Sequence, residues 1–124
     1  MPARPILTLT LNPALDLSCT TPHVLAGPKL RCGRPQVDPG GGGINVARAI
    51  RLLGGEALAL VALSGPTGAQ LAQALRAEGV GFSALTAPGE TRQSLAVTDD
   101  STGAQYRFVM PGADWDRAHL DQAL

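Results

Sequence analysis

The hydrophobic positions of this chain change period several times, and each change marks an element. Ile6-Leu-Thr-Leu-Thr-Leu11 is β-branched or leucine throughout, and Asn12-Pro13 stops it, so a first central strand is expected there. From Ile44 to Leu53, Val46, Ile50 and Leu53 recur at helical spacing and Gly54-Gly55 closes the run. Ala57 to Leu63 is apolar at every position, which suits a parallel strand covered by helices on both sides. A second helix is expected from about Gly68 to Glu78, with Leu71, Ala74 and Leu75 on one stripe and Gly79 ending it. Strand, helix, strand, helix predicts an α/β core.

Two stretches interrupt that rhythm. Leu17 to Val37 is irregular, punctuated by Pro22, Gly27, Pro28, Gly33 and Pro35 around two or three short strand-like pieces. Arg92 to Thr98 and Gln105 to Met110 are strand-like and joined by Asp99-Asp-Ser-Thr-Gly103, as in an antiparallel hairpin. Asp116 to Leu124 returns to helical spacing through Ala118, Leu120 and Leu124, with Asp114 or Asp116 available as a cap. An α/β core that reaches its last helix after about three strands reads as unfinished.

Composition narrows the choice of partners. Ten Lys plus Arg balance ten Asp plus Glu over 124 residues, so no global field draws in nucleic acid or an acidic membrane surface. No apolar run approaches the roughly 20 residues of a membrane span, and no secretion signal precedes the first strand. A soluble, cytoplasmic protein is the expectation. Cys19 and Cys32 are too few for a disulfide framework and are expected as free thiols. With His23 and His119 they lack the paired spacing of a structural zinc site, so no metal site is expected. There is no Gly-x-Ser-x-Gly elbow, and the aromatic residues are too scattered for a base-stacking platform.

Chemistry concentrates around Gly40-Gly41-Gly42-Gly43. Four glycines cost much chain entropy and are kept where backbone must approach something closely or take positive φ. Directly before a helix they present unpaired N–H groups to an anion or a hydroxyl-rich ligand, whereas flexible linkers are usually serine-rich. The loop matches neither G-x-G-x-x-G nor a P-loop. Asn45, in the first helical turn, offers both a donor and acceptors to a sugar hydroxyl, or is simply helix-start chemistry. Asp16 lies a few residues past the first strand, where ligands of open α/β sheets collect, although a single such acid is more often a turn former. Lys29, Arg31 and Arg34 cluster in the irregular stretch; they suit a phosphate, and solvated surface charge is the plainer account. Arg92 and Arg107 in the hairpin strands can meet the same anion or pair with surface acids. Arg48 and Arg51 read as the polar face of the first helix.

Leu7-Thr-Leu-Thr-Leu-Asn-Pro-Ala-Leu-Asp16, Gly27-Pro-Lys-Leu-Arg31, Pro39-Gly-Gly-Gly-Gly-Ile-Asn-Val-Ala-Arg-Ala-Ile50, Thr91-Arg-Gln93 and Gln105-Tyr-Arg-Phe-Val-Met-Pro-Gly112 occur in one order. In that order they resemble the N-terminal part of the ribokinase-like sugar kinases, within them the phosphofructokinase B family and its minor-type 6-phosphofructokinases. The resemblance covers nearly the whole chain. It implies a partial ribokinase-like α/β fold, a parallel sheet flanked by helices, with core segments 1–16, 38–90 and 111–124 and a small β-sheet lid from residues 17–37 and 91–110.

By the same resemblance, Asp16, Gly41, Gly42 and Asn45 would bind sugar hydroxyls and Lys29 and Arg92 the phosphate. The lid would pair with a second subunit, making a homodimer in which Arg31 reaches the neighbour's phosphate. The implied reaction is ATP- and Mg²⁺-dependent phosphorylation of fructose 6-phosphate to fructose 1,6-bisphosphate, a step of glycolysis. Fructose 1-phosphate and tagatose 6-phosphate kinases are the rival members. The family's nucleotide site and its catalytic aspartate, in a Gly-Ala-Gly-Asp motif, belong to a C-terminal half that this sequence does not contain, and Gly112-Ala113-Asp114 is not that motif. No catalytic residue is therefore expected in this chain, which should be inactive or nearly so alone; a non-catalytic sugar-phosphate-binding or dimerising module is the competing reading. A partial sheet leaves strand edges and core surface open, which predicts self-association.

Overall fold

The structure, a computed structural model, describes residues 4–123. In chain order it contains β1 (Ile6–Thr10), β2 (Ala14–Thr21), β3 (Gln36–Gly40), α1 (Gly42–Leu52), β4 (Ala57–Leu63), α2 (Gly65–Ala77), β5 (Phe82–Thr86), β6 (Arg92–Asp99), β7 (Gln105–Val109) and α3 (Arg117–Ala123). Two sheets result: a parallel one in the order β1-β4-β5, and a four-stranded one in the order β3-β2-β6-β7. The ribokinase-like α/β class is as expected.

The main sheet is packed chiefly on one face. Ile44 and Ala47 of α1, Leu75 of α2, Ala59 and Val61 of β4, and Val80 form the buried core. On β1 the threonines point into it: Thr8 and Thr10 are buried, while Leu7 and Leu9 are 62% and 49% exposed. Register aligns Leu7 with Leu58 and Leu9 with Leu60, so the opposite face carries leucines in a row. The expectation that helices cover β4 on both sides is corrected here: α1 and α2 share one core, and on the other face Leu58 remains 40% exposed while Ala62, near the end of the strand, is buried.

The sequence pattern misplaces other boundaries. On α1 the buried stripe is Ile44 and Ala47, whereas Val46 and Leu53 face out, because the helix begins at Gly42 and its phase follows from there. α2 starts at Gly65 rather than Gly68; Pro66 sits in its first turn, where a missing N–H costs nothing. β5 has no counterpart in the pattern, being short and interrupted by Ser83. α3 runs from Arg117 with Asp116 accepting the His119 N–H at 2.8 Å; Leu124 and residues 1–3 lie outside the described residues.

The small sheet begins at Ala14 and takes in Pro39 and Gly40, which pair with Leu15 and Ala14, so it extends past both limits of the expected 17–37 excursion. β2 pairs in parallel with β6 along its full length, and β6 pairs with β7 as an antiparallel hairpin. Residues 22–35 form an exposed strap without strands. Thr21 donates to Arg31 O (2.9 Å) and Gly33 N to Thr20 O (2.9 Å), fastening the strap to β2, while Val24 N donates to Asp99 Oδ2 (3.0 Å) at the end of β6.

Candidate functional site

One face of the small sheet looks toward the start of α1, and a hollow of about 350 Å³ lies between them. Side chains on a strand alternate, so residues two apart share a face. Register then sets Asp38, Asp16 and Ser94 side by side on β3, β2 and β6, with Arg107 of β7 beside Ala96 one step further along. Gly41, Gly42 and Asn45 supply the facing wall, and Arg92 closes one side.

Two glycines shape this wall. A Cβ on Gly40 would stand 2.7 Å from Asp16 Cγ, so the carboxylate occupies the space a side chain would take. Gly41 has φ 139°, a conformation that residues with a side chain rarely adopt, and is the N-cap of α1 without a side-chain cap. The first turn of α1 contains no acidic residue, so its N–H groups and the positive end of the helix dipole remain free for an anion or an electron-rich oxygen.

Burial pushes the Asp16 carboxyl above its ordinary value. The Arg92 guanidinium opposes this, neighbouring Asp38 reinforces it, and Arg107 and Arg48 act more weakly in the same direction as Arg92. Arg92 donates to Met110 O (3.0 Å) and to Asn12 O (3.1 Å), joining the end of β1, the start of β6 and the end of β7. An arginine has five N–H donors, so three remain, and its Nε is buried without a partner. Ser94 Oγ is likewise buried and unpaired beside the hollow. Buried polar atoms without partners are costly unless something else satisfies them.

Of the residues expected to bind sugar or phosphate, Asp16, Gly41, Gly42, Asn45 and Arg92 come together around the hollow. Lys29 does not: it stands on the exposed strap, outside the lining, as does Arg31, whose carbonyl is held by Thr21. Sequence reasoning misses Asp38 and Ser94, although the alternation Arg92-x-Ser94 on a strand is a usable signal for the second. Arg48 and Arg51 are more than a polar face. Arg48 donates to Pro39 O (3.2 Å) and pairs with Glu78 (2.7 Å), and Arg51 donates to Glu78 O, so both tie α1 to its surroundings. Among the described residues no three metal-ligating side chains are grouped, and no helix is long and apolar enough to cross a membrane.

A parallel α/β layer carrying a second small sheet over a glycine-led helix start is an arrangement met in sugar kinases, and comparison with known proteins agrees. Residues 10–123 match the pfkB family carbohydrate kinases, and the chain belongs to that family. It is similar to ATP-dependent 6-phosphofructokinase isozyme 2 of Mycobacterium tuberculosis, 45% identical over 119 residues that make up 96% of this chain and 35% of that protein. It is 51% identical over 108 residues to the isozyme 2 of Escherichia coli K12, covering 87% of this chain and 35% of that protein. The crystal structure of phosphofructokinase-2 from Escherichia coli in complex with fructose-6-phosphate superposes with a TM-score of 0.90 at 46% identity, over 98% of this chain and 40% of that one. This chain thus spans about a third of the length of the curated relatives it matches.

Proposed function

We propose that this chain is the sugar-binding and lid portion of a 6-phosphofructokinase, in which ATP phosphorylates the 1-hydroxyl of fructose 6-phosphate to give fructose 1,6-bisphosphate and ADP. The observation that carries the reading is the convergence of Asp16, Gly41, Gly42, Asn45 and Arg92 on one hollow. Relatives at 45–51% identity bear that activity in their names, which favours fructose 6-phosphate over fructose 1-phosphate or tagatose 6-phosphate.

In this reading Asp16 accepts hydrogen bonds from vicinal hydroxyls, Asn45 fixes a further hydroxyl by donating and accepting, and the Gly41-Gly42 main chain admits the sugar closely. Arg92 uses its remaining donors on the 6-phosphate. Lys29 is assigned to the same phosphate on the family resemblance and needs the strap to fold inward. The role of these groups is orientation, which phosphoryl transfer requires together with charge neutralisation and a proton acceptor. ATP supplies the phosphoryl group. The ATP and Mg²⁺ sites are assigned mainly to the C-terminal half on the family resemblance. A homodimer through the small sheet follows the same resemblance, and it is supported by the exposed Tyr106, Phe108, Val109 and Met110 along and just beyond β7.

Isothermal titration of the chain with fructose 6-phosphate, fructose 1-phosphate and tagatose 6-phosphate tests the reading. Preferential binding of the first, weakened at least about tenfold in Asp16→Ala by the loss of charge-assisted hydrogen bonds, is expected. Tighter binding of either rival would move the substrate assignment, and binding insensitive to Asp16→Ala would remove the site.

A further inference from the structure

The charged side chains around the hollow are sorted by strand. Among the described residues, those bordering it are Asp38 on β3, Asp16 on β2, Arg92 on β6 and Arg107 on β7, which is the order of the strands across the small sheet. Adjacent strands lie about 4.8 Å apart, so β3, at the edge, runs roughly 10 Å from β6. One end of the hollow is therefore acidic and the other cationic. Arg92 keeps donors to spare, whereas no described Lys, Arg or His forms an ion pair with Asp38. The Gln36 amide donates to its Oδ1 over a long 3.5 Å. An ionised carboxylate accepts hydrogen bonds and donates none, so it takes a hydroxyl and repels a phosphate.

We propose that Asp38 is a specificity-determining residue that makes this hollow prefer a sugar monophosphate to the corresponding bisphosphate, by accepting a hydroxyl at the end of the sugar opposite the phosphate and repelling a second phosphate there. The inference rests on the sugar-phosphate reading above. With the 6-phosphate on Arg92 and the middle hydroxyls on Asp16, the sugar runs from β6 across β2, and its position-1 end comes toward β3. Phosphorylation exchanges the proton of the 1-hydroxyl for a phosphoryl group, so the donor facing Asp38 is lost and a dianion stands in its place. Turning the sugar end for end does not help a bisphosphate, because either orientation sets one phosphate at the acidic end. Selectivity of this kind comes from a built-in repulsion against the wrong ligand rather than from a new contact to the right one. In the intact reaction the same repulsion loosens the grip on the product as it forms.

The test is isothermal titration of the chain with fructose 6-phosphate and fructose 1,6-bisphosphate at about pH 8, well above the ordinary carboxylate range. The unaltered chain should bind the monophosphate at least about tenfold more tightly, as expected for a like-charge contact in a partly enclosed site. Asp38→Asn should shrink that ratio at least about fivefold by removing the charge, and Asp38→Glu, which keeps it, should preserve the ratio. Both affinities are read on one variant, so a general loss of folded protein or a change in Asp16 weakens both ligands and cancels in the ratio. A ratio unmoved by Asp38→Asn, or lost equally in Asp38→Glu, would overturn the proposal alone, provided Asp16→Ala still weakens binding of fructose 6-phosphate. Equal or tighter binding of the bisphosphate by the unaltered chain would overturn it as well. No binding of either sugar, or binding that Asp16→Ala leaves intact, would remove the sugar-phosphate reading and this proposal together.

Discussion

The two sheets of this molecule are held by different forces. The main sheet depends on apolar packing, with Ile44, Leu75 and Val61 fully buried. The small sheet is anchored to the core by Ala14, Leu15 and Pro39, which are buried, but its far side, where every residue of β7 is exposed, is fixed by ladders, the Asp99 turn and the Arg92 bridge. The β7 side, held by polar ties, can shift without opening an apolar interior, whereas the β2–β3 side cannot; in the proposed reading the former is what a cover over the sugar needs. The difference can be tested residue by residue.

Leu75→Ala should strike hardest, because it empties the centre of the apolar core. A loss of about 2–5 kcal/mol in urea unfolding is expected, enough to unfold a marginal domain. Gly40→Ala comes next: its Cβ displaces the Asp16 carboxylate, and fructose 6-phosphate binding should fall at least about tenfold, as a misplaced positioning group does, with the unfolding midpoint changed far less than by Leu75→Ala. A comparable loss of stability in Gly40→Ala would show that the small sheet is as much a part of the core as the main one.

The carboxylates sharpen the contrast, since their shifts have opposite signs. The Ser101 hydroxyl and the Val24 and Ser101 amides hold Asp99 down at about 2 from 3.8. Its contribution to folding is therefore complete above its unfolded value and is lost as pH falls from about 4 to about 2. Amide exchange at Val24 and Ser101 should accelerate over that range, and Asp99→Asn should show the acceleration already at neutral pH. Asp16 behaves in the reverse sense: its raised value favours folding below the unfolded pKa, and that contribution is lost as pH climbs through the raised one. Ligand binding, which needs the ionised form, should weaken as pH drops through the same value. Arg92→Met should move this loss to higher pH and Asp38→Asn to lower pH, measured as pH profiles of fructose 6-phosphate affinity. The smallest effect is expected for Phe108→Ser on exposed β7: within about 0.5 kcal/mol for the monomer, with any larger change confined to self-association seen by light scattering.

The elements that carry strong periodicity are legible in the sequence alone. The β1, β4, α1 and α2 segments and the β6–β7 hairpin announce themselves through alternation, apolar runs and glycine stops. Phase and partnership are what escape. Val46 and Leu53 fit a helical stripe as well as Ile44 and Ala47 do, and only the docking of α1 on Ala59 and Val61 decides between them. The leucines of β1 have the character of core residues, yet the buried positions are its threonines, because sidedness depends on which face α1 takes. At the site, Asp16, Asn45 and the glycines stand out by residue type. Ser94 and Asp38 do not, since their places follow from pairing between strands distant in sequence, and the displacement of Lys29 follows from a strap whose path no local pattern encodes.

The Arg92 bridge links occupancy to closure. One guanidinium holds carbonyls from positions 12 and 110 and at the same time borders the hollow. An anion arriving there draws on the same planar group, so any tilt that improves its grip on the guest pulls on both anchor points together. If the hollow takes the sugar phosphate as proposed, filling it and setting the angle of the small sheet become a single mechanical event, transmitted through one side chain.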